Sequence, residues 1–310
     1  MRKAAMTKLA IALKQYLSLA IVYLALVFLL PANKIAVRDY HLTSLSYHLL
    51  LFVIILPLIG IWFGAFYSYA RLQQYTDAIQ DTAEAKDFGR LASGFKLLAW
   101  GSALTAIFSI CVNSLANNYS QLHAAAIIAT NYAGLLVPLI SFTIIGGAAR
   151  GLNARVNTAV SDAGTKALMV FFMIIGVIYC FFTFRLLDMH SLSSSLNPYY
   201  LPVWLIIISI VIPFLYTWFI GLMAAYEIHV YGGNSSGVLY QRAVRQLSFG
   251  VIAVIASSIV VQYLRSVVPR TGHLSLNAVL LIVNISYIFM AVGYIYLSLG
   301  SRQLRKIEEV

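Results

Sequence analysis

Residues 47–70 and 203–226 are two apolar stretches that carry the same unusual residues in the same register. Pro57, Trp62 and Phe63 recur as Pro213, Trp218 and Phe219, an offset of 213 − 57 = 156. The same offset pairs Tyr23 with Tyr179, Phe28 with Phe184, Ile54 with Ile210, Tyr75 with Tyr231, Leu91 with Leu247 and Gly94 with Gly250, without a gap. Apolar residues match by chance in any hydrophobic sequence; proline, tryptophan, tyrosine and glycine together do not. The chain reads as a duplicated unit, a build common among transporters, and no motif in it names a substrate.

The unit belongs in a bilayer. The 310 residues are 61% hydrophobic and only 10% charged, with a mean hydropathy of +0.85, and no soluble domain needs so apolar a surface. A spanning helix takes about 20 apolar residues. Segments of that kind fall at 16–32, 47–70, 97–117, 123–147, 167–185, 201–226, 247–267 and 275–299. The fold expected is an all-α polytopic membrane protein of eight transmembrane helices. They form two parallel four-helix repeats about a pseudo-twofold axis along the membrane normal. Residues 1–150 hold the first repeat, 151–166 a small, polar cytoplasmic linker, and 167–310 the second repeat. The first span follows Arg2, Lys3, Lys8 and Lys14 as a signal peptide would, but its partner at 167–185 lies mid-chain, so it reads as a permanent helix.

Basic residues resist translocation. With the N-terminus inside, 16 of the 21 lysines and arginines are cytoplasmic, and only Lys34, Arg38, Arg185, Arg265 and Arg270 lie outside. Both termini are then cytoplasmic. The net charge of +11 is spread over several short segments, which suits anionic headgroups and not nucleic acid. Membrane lipids are the expected partners, and the sequence leaves protein partners or a homo-oligomer open. Between the second and third spans, Leu72, Tyr75, Ile79 and Ala83 keep a helical spacing, which predicts a short amphipathic extension on the inner membrane surface. The equivalent 232–237 segment, rich in glycine, asparagine and serine, predicts a turn. It lacks the preceding strand and Gly-Lys-Ser/Thr of a nucleotide loop.

Ionisable residues buried in a membrane are costly and usually functional. None lies near the centre of any span, which argues against a proton-coupled carboxylate pump, a voltage sensor and a retinal protein. Enzyme motifs are missing too: there is no His-Glu-x-x-His, intramembrane aspartate pair or Gly-x-Ser-x-Gly. The chain is not expected to be an enzyme. Cys111 and Cys180 sit within spans, without disulfide or metal spacing. Five of six histidines, His41, His48, His123, His190 and His273, map to the outer side. They share no helical face, so no metal or haem is expected.

The central polar residues are Tyr23, Asn131, Tyr179 and Asn284, with Asn131 and Asn284 at a nearby offset of 284 − 131 = 153. They line a path or tie helices together by hydrogen bonds worth about 0.6 kcal/mol each. Pro57 and Pro213 are helix kinks, by loss of a backbone hydrogen bond. The function expected is a permease or lipid-handling protein for a neutral or amphipathic substrate. The alternative is a non-transporting membrane scaffold or a subunit of a larger membrane complex.

Overall fold

A computed structural model of the chain describes residues 2–29, 44–80, 82–118, 123–156, 212–235, 237–267 and 276–307, together with 167, 170 and 174. Seven long helices fill this part: α1 (Arg2–Leu29), α2 (Ser44–Ala78), α3 (Ala85–Asn118), α4 (His123–Arg155), α5 (Ile212–Asn234), α6 (Val238–Val267) and α7 (Leu276–Ile307). Among the described residues, five helical segments are long and apolar enough to cross a membrane, in α1, α2, α3, α4 and α6. This is a helical, multi-pass membrane protein. Most of the expected span at 167–185, the first part of that at 201–226 and residues 157–166 of the linker lie outside the described residues, and Cys180 with them; residues 151–155 of the expected linker instead continue α4.

The helices run 23 to 35 residues, about 35 to 52 Å at 1.5 Å per residue, against an apolar core of about 30 Å. Seven of the helix termini meet at one end of the bundle. There α1 begins, α2, α4, α5 and α7 end, and α3 and α6 begin: Lys8 reaches Asp77, Arg155 reaches Asp87, Tyr240 reaches Glu84, and Gly300 packs on Ala243. We call it the basic end. The expected amphipathic surface extension is not what forms there. Leu72, Tyr75 and Ile79 are buried in the bundle, because α2 continues straight to Ala78 and turns into α3 within residues 79–84. Packing these side chains into the core of the bundle, Tyr75 against Phe88 of α3, removes them from water more fully than an interface would. The turn at 232–237 is likewise shorter than expected, since α5 includes Gly232 and Gly233. Gly237 takes a positive φ, 94°.

Each of α2 to α7 packs on the next, and α7 packs back on α2. The six therefore close into a ring, with α1 outside it against α2 and α3. The outer face is apolar, with Leu17, Ile21, Leu56, Phe63, Ile140, Phe249 and Ile295 exposed as a lipid-facing surface requires. Small residues set the close approaches. A Cβ on Gly94 would lie 2.5 Å from Ile145, and one on Gly250 2.6 Å from Leu297. Hydroxyls within the helices turn back on their own backbone, as Ser68 does to the Gly64 carbonyl at 2.6 Å and Ser141 to that of Val137 at 2.8 Å. This satisfies them where no water is present.

Candidate functional site: a cavity inside the helix ring

The ring encloses a cavity of about 510 Å³ to which all seven described helices contribute. Its side walls are apolar, from Leu58, Leu98, Val137, Phe142, Phe214 and Ile255. The polar groups set into them are all uncharged. Ser102, Thr105 and Ser109 come from α3, Thr217 from α5, Ser257 and Ser258 from α6, and Ser286, Tyr287 and Tyr294 from α7. Tyr23 reaches the cavity from α1, edge-on to Trp62 of α2 with ring centroids 5.0 Å apart.

The depth of the cavity can be read along the helices. Trp62 to Arg71, Trp218 to Glu227 and Val254 to Arg245 are each nine residues, about 13 Å of helix. That is close to half the apolar thickness of a bilayer, about 15 Å. The cavity therefore lies at the bilayer midplane when the charged collar lies at the interface.

Two tryptophans differ within this cavity. Trp218, 1% exposed, donates its indole N–H to Ser258 Oγ at 3.2 Å. Trp62 is completely buried, and its Nε1–H has no acceptor among the described residues. The residue 156 before Ser258 is Ser102, which donates instead to the Ala99 carbonyl at 2.9 Å. A buried donor without a partner costs about 1–3 kcal/mol.

Toward the basic end the interior of the ring is filled. Tyr75 packs edge-on to Phe88 at 5.0 Å, and Phe88 to Tyr231 at 6.3 Å. The Tyr231 and Tyr240 hydroxyls are 2.9 Å apart, and Tyr240 donates to Glu84 Oε2 at 3.3 Å. Phe88 and Tyr231 belong to α3 and α5, which are not ring neighbours, so this contact crosses the interior and closes it. Around the plug, Arg155 donates to the buried Asp87 at 2.7 Å, and Arg150 Nε to Glu227 Oε1 at 2.9 Å. Glu227, just beyond the span, is held above the usual carboxylate range by burial, with Arg150 pulling it partway back.

A groove of about 610 Å³ runs along the outer side of the α2–α7 junction, lined by Pro57, Gly60, Phe63, Asn284 and Ile288 among others. Tyr287 and Tyr294 line both the groove and the central cavity. A second outward groove lies between α6 and α7, with Arg242, Arg245 and Phe249 in its wall, and shares no residue with the cavity.

The expected path residues are thus divided. Tyr23 lines the cavity and Asn284 the α2–α7 groove, while Tyr179 and the side chain of Asn131 lie outside the described residues. Pro57 lies inside α2 and borders the groove. Pro213 is the second residue of α5 as described, with its carbonyl accepting from Thr217 at 2.8 Å. His41, His190 and His273 and the side chains of His48 and His123 lie outside the described residues, and among the described ones no group of three His, Cys, Asp or Glu residues could hold a metal ion. Cys111 carries a free thiol. Sequence reasoning missed the hydroxyl row of α3. Ser102, Thr105 and Ser109 recur at helical spacing on one face, a signal that was there to be read. Compared with protein-family models, with curated proteins and with solved structures, the chain finds no match.

Proposed function

We propose that this chain is a permease or lipid-handling membrane protein in which two parallel four-helix repeats enclose a path for a neutral or amphipathic substrate. The observation that carries the reading is the midplane cavity, reached by every described helix and furnished with hydroxyl and indole groups but no charge. A charged substrate would be left without a counter-ion there, at a cost of several kcal/mol. Binding pockets are generally of this kind: mostly apolar, with a few placed polar groups.

The repeat layout draws support from the neighbour order. Matching α2, α3 and α4 to α5, α6 and α7 carries every ring contact onto another ring contact. Single contacts repeat as well. Gly94 meets Ile145 and the Ser141 carbonyl, and Gly250 meets Leu297 and the Gly293 carbonyl. The second and third helices of each unit then correspond at 250 − 94 = 156, and the last at 297 − 145 = 152. The last value is one less than the 153 separating Asn131 from Asn284. The two asparagines are then alike in depth and one residue apart in register. Both termini cytoplasmic is the orientation that the distribution of basic residues supports.

The test is flux in reconstituted vesicles, with a panel of neutral solutes and labelled lipids. Flux above protein-free vesicles is expected, and Thr105→Phe, which fills the cavity from α3, should remove most of it while the protein keeps its elution volume and helicity. No flux across the whole panel would leave a scaffold or complex subunit as the better reading.

A further inference from the structure

We infer that the substrate enters sideways from the bilayer, between α2 and α7, as a neutral single-chain amphiphile whose head offers a hydrogen-bond acceptor to Trp62. This rests on the permease reading and adds the route and the ligand class.

Three independent features meet at that junction. The first is continuity. The lateral groove faces the lipid and is separated from the central cavity by Tyr287 and Tyr294, which border both. Gly60 in its wall leaves open space, with nothing within 4 Å of a Cβ placed there. The second is the chemistry at the inner end of this route: Trp62, wholly buried in the cavity wall, holds an N–H that nothing among the described residues accepts. An ester, amide, ether or hydroxyl oxygen would satisfy it, and the surrounding hydroxyls would take the rest of such a head. The third is size. At about 30 Å³ per water-sized group, the 510 Å³ cavity holds a head and a short length of chain, and not two acyl chains. The remaining chain fits the groove, which is apolar apart from Asn284, Ser298 and the tyrosine hydroxyls.

The two junctions supply the test, because one can be clamped while the other serves as control. Ser68 Oγ and Ser298 Oγ are 2.8 Å apart across α2 and α7, so cysteines there come within reach of a disulfide. In a background with Cys111→Ser and Cys180→Ser, the Ser68→Cys/Ser298→Cys protein is reconstituted in phosphatidylcholine vesicles. The probe is a long-chain monoacylglycerol bearing a diazirine beside its ester. After illumination, adducts are mapped by mass spectrometry in the reduced and the oxidised protein.

The reduced form should carry adducts around Trp62, Tyr287 and Tyr294, and oxidation should lower them at least tenfold, with recovery on reduction. A clamp at the α4–α5 junction, Gly146→Cys/Ala224→Cys, should leave labelling unchanged. Trp62→Phe should lower cavity labelling about tenfold, the equivalent of about 1.4 kcal/mol for one acceptor on an otherwise unpaired donor. Thr143→Ala, which removes an exposed hydroxyl of α4 away from the cavity, should not lower it.

Undiminished labelling after oxidation of the α2–α7 clamp would overturn the lateral route. Wild-type labelling of Trp62→Phe, or an equal loss with Thr143→Ala, would overturn the assignment of the Trp62 N–H as the donor to the head. If a water-soluble neutral solute is carried and the monoacylglycerol never labels the cavity, the ligand class is wrong and the permease reading stands. If neither occurs, both fall.

Discussion

Where α4 meets α5, Arg150 donates to the buried carboxylate of Glu227 at 2.9 Å and Asn153 donates to the Glu227 carbonyl at 2.8 Å. Where α7 meets α2, the offsets of 152 and 156 place Arg302 and Arg71 at the positions of Arg150 and Glu227. Two cations cannot make that bridge. Arg71 turns away to Gln74 at 3.0 Å and lies over the Tyr67 ring. Nearer the midplane the close pair Gly146 and Ala224 is matched by Ser298 and Ser68, joined by their hydroxyls. One junction is thus fastened by a charge pair and the other by a pair of neutral hydroxyls, and the lateral groove lies along the second. The firm junction and the lightly held one differ in these fastenings, while both are closely packed.

The largest effect expected is at the firm junction. Arg150→Ala leaves Glu227 buried without its cation and should lower stability by about 1–3 kcal/mol near neutral pH. That is less than for a fully buried pair, because the guanidinium is 64% exposed. Thermal unfolding in detergent measures it. The loss should shrink in acid, where the protonated carboxyl needs no cation. The opposite substitution sharpens the point. Burial raises the Glu227 carboxyl above its ordinary value, so the folded state binds the proton more tightly than the unfolded one, and stability falls as pH rises through the raised value. Glu227→Gln removes that dependence. Its stability relative to wild type should therefore rise from the ordinary carboxylate pKa upward and level off above the raised one; a flat difference would mean that Glu227 titrates alike in the folded and unfolded states.

A smaller effect distinguishes the close approaches. A Cβ at Gly146 would sit 3.4 Å from Ala224, an ordinary contact, whereas one at Gly64 would sit 3.1 Å from the Tyr294 Cβ, which cannot easily move. Gly146→Ala should gain up to about 1 kcal/mol from helix propensity, and Gly64→Ala should lose that gain to overpacking. Equal melting temperatures for the two variants would contradict the geometry.

The smallest change is expected from Arg71→Glu, which offers Arg302 a partner and copies the firm junction onto the lightly held one. Stability should move by less than about 1 kcal/mol, as for exposed pairs. Lateral labelling by the monoacylglycerol should nevertheless fall, since the added attraction acts on the junction that must part. Unchanged labelling would show that the charge pair does not govern opening.

How much of this was legible beforehand differs by residue. Trp62 and Trp218 carried the expectation of a repeat because bulky, infrequent residues keep register visibly. That one would find an acceptor and the other would not was invisible, because it depends on whether Ser102 or Ser258 comes within reach across a helix interface. Tyr23 was singled out by its depth, and it lines the cavity. Asn284, at similar depth, faces the α2–α7 groove instead, since depth along a helix follows from counting residues while the direction faced depends on which helices flank it. Leu72, Tyr75 and Ile79 had the right helical spacing and the wrong destination, because periodicity gives an apolar face without saying what covers it.

By itself the amino-acid sequence determined the class, a multi-pass helical membrane protein, because backbone groups in lipid must be satisfied within helices and apolar length sets what can span. It also placed no charged residue near the centre of any expected span, and among the described residues the cavity lining carries none. Only the tertiary structure decided that six helices close into a ring, that the ring holds a cavity sealed toward the basic end by Tyr75, Phe88, Tyr231 and Tyr240, and that one junction is fastened by Glu227 while its counterpart is not. In lipid an apolar helix is surrounded by solvent as apolar as itself. Its partners are therefore chosen by close packing and by a few polar contacts between distant residues, and those are properties of pairs that no single stretch of sequence contains.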